Sequence, residues 1–74
     1  MIKIAPHITV DAKVRFGKPV IVGTRVPVDL VVGKIAAGME VSEVTGEYDL
    51  TREQVLAALR YAAELVSQEE IALL

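Results

Sequence analysis

Between Gly17 and Val28 the chain reads GKPVIVGTRVPV, and no regular helix accommodates that order of residues. Pro19 and Pro27 each fix φ and remove a backbone donor, while Gly17 and Gly23 admit left-handed backbone. The β-branched run PVIV lies between them, so the segment must be a short strand fenced by tight turns and close to a sheet edge. Upstream, HITVD alternates, with Ile8 and Val10 on one face and His7, Thr9 and Asp11 on the other. Residues 1–26 therefore read as a β arm.

From Pro27 onward the period changes. Pro27 suits a first helical position, Val28, Val31, Val32 and Ile35 fall at helical spacing, and Gly38 supplies a left-handed stop. A shorter helix is expected from about Val41 to Tyr48, with Glu40 or Ser42 as its cap. The third helix carries the strongest signal. TREQ places Thr51 as N-cap and Gln54 three residues on, a capping box, and Val55, Leu59, Ala62 and Val66 follow along one stripe. Its end falls between Ser67 and Leu74. The expected fold is one domain over 1–74, mainly α with a short N-terminal β arm (1–26) and a three-helix bundle (27–74). A short helix followed closely by a capped longer one has helix-turn-helix proportions, which any small helical bundle also shares.

The chain has only 74 residues with which to bury a core, near the size at which a lone core is marginal. No cysteine and no His/Cys cluster is available as a staple, and 53% of the residues are hydrophobic, so association is the expected remedy, most simply as a homodimer. The start MIKIAPH has no apolar leader region and no run approaches membrane-spanning length. A cytoplasmic location without membrane contact is expected.

Net charge is −2, but it is unevenly spread. Residues 1–34 hold six cations against two carboxylates, a net +4, and residues 35–74 hold two cations against eight, a net −6. Opposite halves suit either two partners or contact between subunits, and ordinary solvation accounts for them as well.

Nothing in the pattern points to catalysis. His7 is the single histidine and has no nucleophile or second ligand nearby; it reads as a surface strand residue. Glu40, Glu43, Glu47 and Asp49 read as the wet face of a short helix, and Ser42 and Thr51 as caps. The glycines lack phosphate-loop spacing. No catalytic residue, metal site or cofactor is expected. Arg52 and Gln54, in the first turn of the long helix, and Arg60 further along it, are candidate DNA-reading residues. The competing account has Gln54 closing the capping box and both arginines solvated beside Glu53 and Glu64.

Gly17, Lys18, Pro19, Gly23, Thr24, Arg25, Pro27 and Val28, followed by Gly38, Glu43, Tyr48, Leu50, Thr51 and AALRYAA, resemble the bacterial and archaeal family called domain of unknown function 433 (DUF433), from about Ile8 to Val66. Glu40 stands where that family often has serine, and YDLT is one residue shorter than the usual turn. The resemblance implies a homeodomain-like or winged-helix fold. It also implies a VapB-like antitoxin of a type II toxin–antitoxin pair, whose toxin is a PIN-like ribonuclease, with DNA a candidate ligand for autorepression. Such a nuclease holds metal with clustered carboxylates, so the basic half would be the inhibitory one, with Arg25 and Lys18 as candidate partner-binding residues. Gly17, Pro19, Gly23, Thr24, Pro27, Gly38, Tyr48 and Thr51 would be structural. The alternatives are a DNA-binding regulator without a toxin and an interaction module, and Arg25 would then pair with an acidic residue of the helical half.

Overall fold

The computed structural model describes residues 1–70 of the chain; the last four residues of the expected domain, 71–74, lie outside them. Three short antiparallel strands, β1 (Ile2–Ala5), β2 (Ile8–Val10) and β3 (Val20–Ile21), form a sheet in that order. Three helices follow: α1 (Val28–Ala36), α2 (Val41–Tyr48) and α3 (Arg52–Ser67).

Strand β1 did not figure in the sequence reading. It pairs with β2 through Ile2 opposite Val10 and Lys3 opposite Thr9, and a bulge at Ile4 restores the pairing at Ala5 and Ile8. His7 is consequently not a strand residue but the second residue of the connecting hairpin, with φ of 66°. Thr9 also departs from simple alternation: it is buried, on the central strand, paired with Lys3 of β1 and Val20 of β3.

The sheet and helices share one core. Ile8 and Ile21 from the strands meet Val28 and Val31 of α1, Val44 of α2, Leu50, and Val55 and Ala58 of α3. The β arm is therefore a wall of the domain. All three helix starts match local chemistry, with one shift: Pro27 is extended (φ −69°, ψ 147°) and stands just outside α1 as its N-cap rather than as its first residue. Gly38 adopts φ of 105° after α1, as a left-handed stop requires. Glu40 caps α2 from outside, its N–H donating to Oε1 of Glu43 at 3.0 Å. Asp49 closes α2 in left-handed backbone (φ 55°), which Asp tolerates, and this single residue absorbs the short YDLT turn. At Thr51 the box is complete: Gln54 N–H donates to Thr51 Oγ1 at 3.1 Å and Thr51 N–H to Gln54 Oε1 at 2.9 Å. The stripe on α3 fades after Ala62, and Val66 is exposed rather than buried.

Candidate functional site

The Gly17–Val28 stretch is a tight hairpin. After β3 the chain turns at Gly23 (φ 75°), the Thr24 N–H donates to the Ile21 carbonyl at 3.0 Å, and the Ile21 N–H donates to the Val26 carbonyl at 3.0 Å. The Thr24 hydroxyl closes the turn from inside, donating to the Ile21 carbonyl at 2.8 Å and accepting from the Val26 N–H at 3.0 Å. Val28 N–H then donates to the Pro19 carbonyl, so the hairpin ends where α1 begins.

A second turn stands beside it. Arg15, Phe16 and Gly17 have φ of 52°, 56° and 84°, three consecutive left-handed residues of which only one is glycine. Gly17 N–H donates to the Val14 carbonyl at 3.2 Å and Lys18 N–H to the Arg15 carbonyl at 3.1 Å. The Arg15 guanidinium Nε donates to the Arg25 carbonyl at 3.2 Å, tying the two turns together. Lys13, Arg15, Phe16 and Arg25 accordingly line one open hollow with Ala12. Phe16 is 100% exposed.

The two basic residues singled out by sequence part company here. Lys18 Nζ lies 2.8 Å from Asp29 Oδ2 on α1, and this hydrogen bond holds the Asp29 carboxyl below its usual value. Arg25 is exposed, and among the described residues it has no carboxylate within 4.0 Å. The pairing with the helical half expected of Arg25 is thus made by Lys18. Sequence reasoning passed over Lys13, Arg15 and Phe16. The available signal was the chain's one phenylalanine, set among cations and directly before a glycine.

The candidate DNA-reading residues are dispersed. Arg52 is exposed at the start of α3, Gln54 is engaged in the capping box, and Arg60 borders a shallow cleft with Pro6, Tyr61 and Glu64. Glu53 is exposed beside Arg52 and lies 3.5 Å from the imidazole Nε2 of His7. Glu43, Glu47 and Asp49 are exposed on α2 and in the turn leading into α3. Among the described residues, no group of three His, Asp or Glu side chains is placed to hold a metal ion, and no helix is long and apolar enough to cross a membrane.

The family model "Protein of unknown function (DUF433)" matches residues 8–62, from the first core residue of β2 to the middle of α3. The chain belongs to the DUF433 family. Among solved structures, this DUF433 chain is similar to the X-ray crystal structure of Rv2018 from Mycobacterium tuberculosis, with 33% identity and a TM-score of 0.65. The match covers 70% of this chain and 24% of Rv2018, so the DUF433 domain corresponds to about a quarter of that longer protein. No curated protein matches the chain.

Proposed function

We propose that this chain is an antitoxin of the VapB-like kind, acting by binding and not by catalysis, and that it neutralises a PIN-like ribonuclease through its basic turns. The observation that carries this reading is the convergence of Lys13, Arg15 and Arg25 around one hollow with no carboxylate partner among the described residues. Guanidinium groups held in this way are suited to the clustered carboxylates of a metal-dependent nuclease, which they engage bidentately. A homodimer is part of the proposal. Strand β1 is an edge strand, Ile2 on it is 67% exposed, and Ile4 shares a cleft with Tyr61 and Leu65 of α3. Such an edge is protected most simply by a second copy.

A second role, binding operator DNA, has one observation in its favour. The three residues 49–51 between α2 and α3, with exposed Arg52 directly after them, suit the helix-turn-helix of a homeodomain-like or winged-helix domain. Glu43, Glu47, Asp49 and Glu53 around that turn oppose it, because each repels phosphate. The protein-binding role is therefore the primary one.

Co-expression with candidate PIN-like ribonucleases from the source genome tests the reading. A stable complex in which RNA cleavage is suppressed is the expected result. A nuclease that remains unbound and fully active overturns it.

A further inference from the structure

The largest fully buried side chains of this protein are isoleucines and valines, at Ile8, Ile21, Val31, Val44 and Val55. Its one phenylalanine, a far better core filler than valine, is instead wholly in water at the tip of a turn. Two features hold it there. The backbone at Arg15 and Phe16 is left-handed, a conformation that L side chains other than Asn and Asp rarely adopt. The turn is also braced at both ends, by Gly17 on the Val14 carbonyl and by the Arg15 guanidinium on the Arg25 carbonyl. A large apolar group displayed on a fixed, disfavoured backbone marks a contact made with something outside the molecule.

We propose that Phe16 is the anchor of the partner contact, entering an apolar pocket of a protein whose rim carries carboxylates, with Arg15 and Arg25 engaging that rim. The proposal rests on the protein-binding reading above and adds to it the residue on which affinity centres. Charge selects the partner: the ring is flanked by Lys13, Arg15 and Arg25, and none of the three is neutralised by a carboxylate among the described residues. The braced turn also reduces the ordering cost of binding. A lone aromatic among cations could stack on a nucleic-acid base as well. Stacking surfaces that track a strand use several aromatic rings, however, and both tyrosines, Tyr48 and Tyr61, pack against the core.

The anchor can be watched directly, because Phe16 is the sole phenylalanine and biosynthetic 4-fluorophenylalanine gives one fluorine resonance from it. The probes are an unlabelled PIN-like ribonuclease and a 12-nucleotide single-stranded RNA. With the nuclease, the resonance is expected to move and to lose its H2O/D2O solvent shift. Phe16→Ala is expected to weaken the complex at least tenfold, about 1.4 kcal/mol, with an unchanged melting temperature since the side chain is fully exposed among the described residues. Phe16→Leu should recover part of the loss. A complex that forms with the fluorine still solvent-exposed and with Phe16→Ala binding normally overturns the anchor while leaving the antitoxin reading intact. Absence of any complex with the wild-type chain overturns both. A resonance moved by the RNA and left in place by the nuclease assigns the turn to nucleic acid and overturns the proposal.

Discussion

The Thr24 hydroxyl makes two hydrogen bonds inside the Gly23 turn, to the Ile21 carbonyl and from the Val26 N–H. Valine has nearly the same shape and offers neither bond. Thr24→Val is therefore expected to destabilise the fold by about 1 to 3 kcal/mol, the cost of leaving the Val26 N–H unpaired while the Ile21 carbonyl keeps only its bond from the Thr24 N–H, and Thr24→Ser by clearly less. Denaturant unfolding of the two variants checks this; equal stability of Thr24→Val and wild type would remove the turn from the account. Its neighbour Arg25 has the complementary duty, since its side chain is exposed and, among the described residues, its carbonyl alone is used internally, by Arg15. Residues of the first kind are legible in sequence, because a Gly-Thr pair in a β-branched context specifies a turn by local chemistry. Phe16 is not, because its significance lies in its exposure, and exposure depends on which strands pair around it.

Elements were legible where their signal was local. The capping box at Thr51 and Gln54 and the stop at Gly38 act within a single turn of chain, and both formed as the sequence requires. Strand β1 escaped because four residues with a bulge and a following Pro6 carry little periodicity; its partner β2, not its own sequence, makes it a strand. The helical stripe misled at Val66 for the reverse reason. Helical spacing continues to Ser67, but the sheet and helices that would cover the stripe end earlier. Between elements, the Lys18–Asp29 pair joins the turn before β3 to the first turn of α1. The Lys18 hydrogen bond holds the Asp29 carboxyl below the usual carboxylate range, so the pair stabilises the fold above that range and ceases to do so as pH falls through the lowered value. Both side chains are largely exposed, which limits the effect to about 0.2–1 kcal/mol at neutral pH. Asp29→Asn is expected to cost that amount near pH 7 and progressively less as pH falls below the usual carboxylate range, measured by thermal unfolding across the range. A stability gap that widens in acid would contradict this assignment.

At the scale of the molecule, the cations of the two turns line one hollow, while Glu43, Glu47, Asp49 and Glu53 are exposed along α2, the turn after it and the start of α3. Exposed apolar groups on β1 and the end of α3 supply a third surface, on which the expected homodimer is placed. Light scattering over a dilution series is expected to report a dimer at micromolar concentration, with Ile2→Lys and Leu65→Glu shifting it to monomer; a wild-type monomer throughout would remove that surface from the account. The central claim is that this protein acts on a protein through its basic turns and not on DNA through α3. The direct measurement is inhibition of RNA cleavage by a purified PIN-like ribonuclease, titrated with wild type, Arg25→Ala, Arg25→Lys and Arg52→Ala. Truncating a desolvated charge pair costs about 2 to 5 kcal/mol, so Arg25→Ala should raise the half-inhibitory concentration roughly thirtyfold or more. Arg25→Lys should recover part of that loss, and Arg52→Ala should leave inhibition unchanged. Normal inhibition by a folded Arg25→Ala protein, or a loss carried by Arg52→Ala in its place, would contradict the account.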